Sequence, residues 1–172
     1  MDKIIFILGG ARSGKSTYAV ELAKKYDKKV AFIATCLPLD KEMRQRVELH
    51  KKKRPPYWKT FQEPNDLAAL VKKINCKFNV IIIDCLTLLI SNLLSGNLDD
   101  NAIEQIIDKL LKTLKMAKCK SIIVSNEVGL GIVPKNRLAR RFRDLAGRIN
   151  QLVAQKADVV FFMVAGIPRR IK

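Results

Sequence analysis

Histidine is almost missing from this sequence, occurring once as His50, and the 4 cysteines stand far apart as Cys36, Cys76, Cys85 and Cys119 with no Cys-x-x-Cys pair. A zinc centre of ordinary ligand spacing therefore has no donor set here, and reduced, buried thiols are the expected state. Aromatic residues make up only 6% of the chain, which leaves little on which to stack the bases of a single-stranded nucleic acid. Long apolar runs are lacking too. The stretch from Val80 to Leu94 is broken by Asp84, Ser91 and Asn92, short of the ~18 residues that a membrane span needs. Met1-Asp2-Lys3 leads straight into a strand-like run, without the apolar core and small-residue cleavage site of a signal peptide, so a cytoplasmic location is expected. With 8 Gly and 6 Pro in 172 residues, collagen-like and disordered classes are excluded as well. Acidic residues are in deficit, 16 against 33 Lys plus Arg, for a net charge of +17. That balance favours anionic partners, whether nucleotides, phosphorylated small molecules, nucleic acid or acidic membranes, without choosing among them. The lysine runs read equally as a solvated face.

The length suits one compact domain over residues 1–172. Ile4 to Leu8 is an apolar run ending in Gly9-Gly10, as a strand buried on both faces would end. Helical spacing follows over Ser16 to Tyr26, then a second strand over Val30 to Ala34. A short helix is expected within Asp40 to His50, and Lys51 to Pro56 should break it. The Pro and charge content of residues 35–64 predicts a mobile loop and helix segment. Helices are expected over Asp66 to Ile74, Leu86 to Leu94, Asn101 to Met116 and Asn136 to Lys156, and strands over Val80 to Ile83, Ile122 to Ser125 and Val159 to Val164. Strands alternating with helices at this spacing argue an α/β protein, its mainly parallel sheet covered by helices on both faces.

Gly9-Gly10-Ala11-Arg12-Ser13-Gly14-Lys15-Ser16 fits the pattern G-x-x-x-x-G-K-[ST] in full, between a predicted strand and a predicted helix. Such a loop wraps backbone N–H groups around a phosphate chain at a helix N-terminus, with Lys15 reaching the terminal phosphates and the Ser16 hydroxyl available to Mg²⁺. Asp84 closes the apolar strand Val80 to Ile83, where it could help hold the same Mg²⁺ or merely cap the following helix. His50 lies beside Lys51, Lys52, Lys53 and Arg54. It is either a nucleophile poised for phosphorus or an exposed bystander in a basic loop. Asn126-Glu-Val-Gly-Leu-Gly-Ile-Val-Pro134 follows a predicted strand, and polar residues at that end of a parallel strand tend to face the ligand crevice. Arg137, Arg140, Arg141, Arg143 and Arg148 then ring a helix rather than sharing one face.

Taken together, these elements resemble the bifunctional adenosylcobinamide kinase and adenosylcobinamide-phosphate guanylyltransferase family of cobalamin biosynthesis. The resemblance spans nearly the whole chain and rests on Gly9 to Ser16, Ile33-Ala-Thr35, Glu42-Met43, Arg46, His50-x-x-x-Arg54-Pro55-x-x-Trp58, Asp84 and Asn126 to Pro134. Asn136-Arg-Leu-Ala139, Phe142-Arg-Asp144, Gly147-Arg148, Asn150-Gln151 and Gly166-Ile167 extend it. It implies a RecA-like P-loop fold, a homotrimer with active sites between subunits, and two reactions. A nucleoside triphosphate, ATP or GTP, phosphorylates adenosylcobinamide. The family's histidine, matched by His50, then takes GMP from GTP and passes it to adenosylcobinamide phosphate. The resemblance carries nucleotide contacts onto Gly9, Gly10, Ala11, Arg12, Ser13, Gly14, Lys15, Ser16, Ala34, Thr35, Cys36, Lys51, Lys52, Lys53, Arg54, Gln62 and Asp84, with Lys15 and His50 catalytic and Ser16 and Asp84 on Mg²⁺. Gln62 stands where the family commonly has Glu, and the neighbouring Glu63 is the one acid at hand. No nucleic acid and no membrane span are expected. The rival readings are a basic P-loop ATPase acting on nucleic acid, which would bind with a steep salt dependence, and a small-molecule kinase without the guanylyl step.

Overall fold

The computed structural model describes residues 2–37, 45, 47, 48, 51 and 54–172. His50, Lys52, Lys53 and most of the helix expected over 40–50 lie outside them. Within the described residues the strands are β1 (Ile4–Gly9), β2 (Val30–Ala34), β3 (Lys59–Gln62), β4 (Val80–Asp84), β5 (Lys120–Val124), β6 (Val159–Val164) and β7 (Ile167–Arg170). The helices are α1 (Lys15–Tyr26), α2 (Leu67–Ile74), α3 (Leu86–Ser95), α4 (Asp100–Met116) and α5 (Arg137–Lys156). The seven strands form one sheet in the order β3-β2-β4-β5-β1-β6-β7. Every pair is parallel except β6 with β7, which is a hairpin.

The side-chain alternation of the central strands explains why both faces of the sheet are covered. Ile5, Ile7, Val30, Phe32, Val80, Ile82, Ile122 and Val124 point to one face, where Ala19, Val20 and Ala23 of α1 and the Trp58 ring meet them. Ile4, Phe6, Leu8, Ala31, Ile33, Ile81, Ile83 and Ile123 point to the other, under α2, α3, α4 and α5. The covering is lopsided, with one described helix against four. Asp66, Asp99 and Asn136 start α2, α4 and α5 by accepting a hydrogen bond from the backbone N–H three residues on, at 3.0, 2.7 and 3.0 Å. These caps satisfy donors that the helix itself leaves open. Helix α1 has no side-chain cap and begins at Gly14 in the left-handed region, at φ 94°. Its N-terminal N–H groups are thereby kept for a ligand.

Two strands have no counterpart in the sequence reading. Strand β3 falls in the segment 35–64 that was expected to be loop and helix, and its residues Lys59-Thr-Phe-Gln62 are mostly exposed. An edge strand with one apolar residue carries almost no periodic signal. Strand β7 reads Ile167-Pro-Arg-Arg170 and is wholly exposed. It pairs back on β6 through a turn in which Ala165 and Gly166 both have positive φ.

Candidate active site

Four parallel strand ends build one cleft. The phosphate loop follows β1, Ala34 ends β2, Asp84 ends β4, and Asn126 lies just past β5. The register sets Ala34 beside Asp84 and Asp84 beside Val124. The resulting cavity, of about 470 Å³, is lined by Ala11 to Thr17, Ala34, Cys36, Val47, Arg54, Asp84, Cys85, Leu88 and Asn126. Ten of the residues expected at a nucleotide site therefore share it: Ala11, Arg12, Ser13, Gly14, Lys15, Ser16, Ala34, Cys36, Arg54 and Asp84.

The loop is held from both sides. Gly9 O accepts from Glu127 N, and Ser13 O accepts from Gly166 N in the β6–β7 turn, each at 3.0 Å. Space requires glycine at two of its positions. A Cβ on Gly9 would lie 2.6 Å from the Met163 carbonyl oxygen, and one on Gly14 would lie 3.1 Å from Gly166 Cα. Lys15 is buried, and its Nζ donates to Gly10 O at 2.6 Å and to Ser13 Oγ at 3.4 Å. The ammonium is thus stored against the loop it serves.

Asp84 is not a helix cap. The N-cap of α3 is Cys85, with no side-chain cap bond, and the Asp84 carboxylate belongs to the cleft. The backbone beside it is locked by Thr35, whose Oγ1 donates to Cys85 O at 2.7 Å and accepts from Cys85 N at 2.9 Å. Thr35 is fully buried, so it shapes the cleft and does not line it. Arg54 stacks its guanidinium on the Phe32 ring, with Cζ 3.4 Å from the centroid, and donates to Thr60 Oγ1 at 3.3 Å. Burial pushes the Arg54 guanidinium below its ordinary pKa, while the Asp84 carboxylate acts in the opposite direction. Burial likewise pushes the Cys85 thiol up, and the charge of Asp84 adds to it. Cys85 therefore stays a neutral thiol at the cleft wall.

Gly9, Gly10, Gln62 and Lys51 are not among the residues lining this cavity. Gly9 and Gly10 form the base of the loop without lining the cavity. Gln62 Nε2 donates to Cys36 O at 3.1 Å, tying β3 to the end of β2. Glu63 Oε1 accepts from Asn65 N and Asp66 N at 3.0 and 2.9 Å in the turn before α2. Lys51 pairs with Glu48 at 2.8 Å on the surface. On α5, Arg141 and Arg148 bind Asp100 at 2.7 Å each, and Arg148 also binds Glu104 at 2.8 Å. Arg143 pairs with Asp144, and Arg140 donates to Pro134 O. Arg141 and Arg148 thus hold helix to helix and Arg140 holds helix to loop, while the Arg143 pair stays within α5. The sequence reading did not name Thr17, Val47, Cys85 or Leu88 at the cleft; apolar or small wall residues leave no chemical signature in a sequence.

A strand, a phosphate-cradling loop and a helix, with a carboxylate at the end of a parallel strand two places along the sheet, define a P-loop nucleotide-binding protein of RecA-like architecture. Solved structures agree on the fold. The RadB recombinase superposes with a TM-score of 0.55 at 16% identity over 93% of this chain and 73% of its own. A KaiC-like protein of Pyrococcus horikoshii does so with 0.52 at 16% over 93% and 70%. Sequence narrows the class much further. The family model for cobinamide kinase / cobinamide phosphate guanyltransferase matches residues 5–171. The bifunctional adenosylcobalamin biosynthesis protein CobU of Salmonella typhimurium is 40% identical over 181 residues, covering 98% of this chain and 99% of the relative. The corresponding protein CobP of Pseudomonas aeruginosa is 41% identical over 166 residues, covering 96% and 95%. The chain belongs to the cobinamide kinase / cobinamide phosphate guanyltransferase family, and it is a transferase of that kind.

Proposed function

We propose that both transfers of the family run through the cleft described above, with the triphosphate seated in the Gly9 to Ser16 loop. In the first, the hydroxyl of the aminopropanol arm of adenosylcobinamide attacks the terminal phosphorus of ATP or GTP, and the diphosphate leaves with the bridging oxygen. In the second, a ring nitrogen of His50 attacks the α-phosphorus of GTP and pyrophosphate leaves. The phosphate of adenosylcobinamide phosphate then displaces the imidazole to give adenosylcobinamide-GDP. A neutral imidazole is a competent nucleophile, and its phosphoramidate is labile enough to pass GMP onward. The observation that carries the reading is the convergence of Lys15, Ser16, Arg54 and Asp84 on one cavity, in a chain of this family.

Ser16 and Asp84 both line that cavity and supply hard oxygen donors, the donor chemistry that suits Mg²⁺. The ion would offset phosphate charge. Lys15, released from Gly10 O and Ser13 Oγ, would add its ammonium to the terminal phosphates, and Arg54 its guanidinium. A homotrimer and a cytoplasmic location belong to the same reading. Leu130, Ile132, Val133 and Leu138, close together in sequence, are all exposed, and exposed apolar side chains of that kind suit a subunit contact. Among the described residues no helix is long and apolar enough to cross a membrane.

The test is to incubate the protein with Mg²⁺ and GTP labelled on the α-phosphate, then denature it and map covalent GMP by peptide mass analysis. The expected result is an acid-labile adduct on the peptide holding His50, absent from His50→Ala. No adduct from a protein that still binds GTP would refute the guanylyl-histidine step and leave a kinase only.

A further inference from the structure

Asn126 stands at the cleft without a role in the reading above. It follows β5, the strand between β4 and β1, so it sits between the Asp84 wall and the phosphate loop and lines the same cavity. Its placement is over-determined. The backbone carbonyl of Asn126 accepts from Asn150 Nδ2 at 3.1 Å, and Asn150 Oδ1 accepts from Ser125 Oγ at 2.8 Å. Asn150 and Ser125 are buried. The side chain is oriented as well, since Asn126 Nδ2 donates to Thr87 Oγ1 at 3.2 Å. Thr87 Oγ1 in turn lies 3.1 Å from Cys85 Sγ. Helix α5 thus holds the backbone of Asn126 and helix α3 its carboxamide.

The amide nitrogen donates to Thr87, which leaves Oδ1 as the acceptor that this cleft-lining side chain can offer a ligand. Among the described residues Oδ1 accepts no hydrogen bond. An acceptor oxygen is repelled by phosphate oxygens, and the cations of the cleft, Lys15, Arg12 and Arg54, suit phosphate instead. What fits a fixed acceptor beside a terminal phosphate is an O–H group. We propose that Asn126 is a catalytic residue of the kinase step, its Oδ1 accepting the hydrogen bond of the attacking hydroxyl and aiming an oxygen lone pair at the terminal phosphorus. The inference rests on the kinase reading above. In the step, the hydroxyl oxygen forms the new O–P bond and the bond to the bridging oxygen breaks with its electron pair leaving on the diphosphate. The hydroxyl proton passes to solvent, because a carboxamide is no base. Thr87 and Asn150 are positioning residues for Asn126.

The experiment compares wild type, Asn126→Ala, Thr87→Val and the double variant in cobinamide phosphorylation, alongside nucleotide affinity by titration and thermal unfolding. Loss of aim at the attacking atom lowers kcat by about 100-fold in Asn126→Ala, with nucleotide Kd within about threefold of wild type. Thr87→Val lowers kcat by about tenfold in the wild-type background and not further beside Asn126→Ala, since the two act as a unit. A purely structural Thr87 would cost the same in both backgrounds, and that outcome overturns the proposal. So does Asn126→Ala with kcat within about threefold of wild type, or with a fall in kcat matched by a rise in nucleotide Kd. Slow hydrolysis of ATP without cobinamide uses water as the attacking oxygen and separates the two readings. A wild-type chain that hydrolyses ATP but phosphorylates no cobinamide refutes the acceptor assignment. Asn126→Ala must still depress that hydrolysis, or the inference on Asn126 fails independently.

Discussion

A single carboxamide holds both ends of the segment that carries His50. Asn92, half-buried on α3, donates through Nδ2 to Thr35 O at 2.9 Å and to Pro64 O at 3.0 Å. Replacement by Ala removes two hydrogen bonds, each worth about 0.5–1.5 kcal/mol net, and leaves two carbonyls short of a donor. The sum is about 2–3 kcal/mol. For a chain of this size each kcal/mol moves Tm by about 2–4 °C, so Asn92→Ala is expected to unfold roughly 4–12 °C lower, followed by circular dichroism. Asn92→Asp is the sharper test. It fills the same volume but turns a carboxylate toward two carbonyl oxygens, so at neutral pH it should be less stable than the Ala variant. Those carbonyls favour the protonated acid, so the folded-state pKa of the introduced Asp lies above its unfolded value of about 3.9. The penalty is therefore fully present above the folded pKa and shrinks as the pH falls through it, and the gap between Asp and Ala variants should close in acid. A Tm for Asn92→Asp above that of Asn92→Ala at neutral pH would show that the side chain acts as filler, and a fall of less than about 2 °C for Ala would show that the clasp carries no weight.

Gly14→Ala meets both the left-handed φ of 94° and a 3.1 Å contact with Gly166 Cα; we expect nucleotide affinity to drop at least about tenfold by titration, the strain of such a conformation being about 1–2 kcal/mol before the contact is counted. Asp100 is drawn up by partial burial, but the hydrogen bonds of Arg141 and Arg148 outweigh it and hold the carboxyl below its usual value. A depressed carboxylate pKa contributes stability above the unfolded value that is lost as pH falls through the folded one, so Asp100→Asn should flatten the decline of Tm below about pH 4. Alkylation with iodoacetamide should label the exposed Cys76 while the buried Cys85 and Cys119 react only on unfolding; prompt labelling of Cys85 would contradict its place in the cleft wall.

Legibility followed the strength of the local pattern. The runs Ile4 to Leu8, Val30 to Ala34 and Val80 to Ile83 announce central strands because both sides of each strand are buried and every position must be apolar. The phosphate loop was equally plain, since backbone wrapped tightly around phosphate demands glycine at set intervals. Edge strands β3 and β7 were invisible for the converse reason: with one side in water, Lys59, Gln62, Arg169 and Arg170 satisfy the backbone pairing as well as any apolar residue. The resemblance puts Thr35 at the nucleotide with Ala34 and Cys36, and the fold adds what no local pattern shows, its two hydrogen bonds to Cys85 past the end of the adjacent strand. Such a choice depends on which strand lies alongside.

The order of residues carried the candidate chemistry, because a phosphate loop, a strand-end acid and a histidine among cations are local features, each defined by a handful of adjacent side chains. The long-range arrangement came from packing. Strand order β2-β4-β5-β1 sets Ala34, Asp84, Asn126 and the loop around one cavity, although Gly9 and Asn126 stand 117 positions apart in the sequence. The same packing draws Arg141 and Arg148 to Asp100. No local pattern encodes those pairings, since parallel strands are joined through helices and their neighbours are chosen by which apolar faces bury one another best.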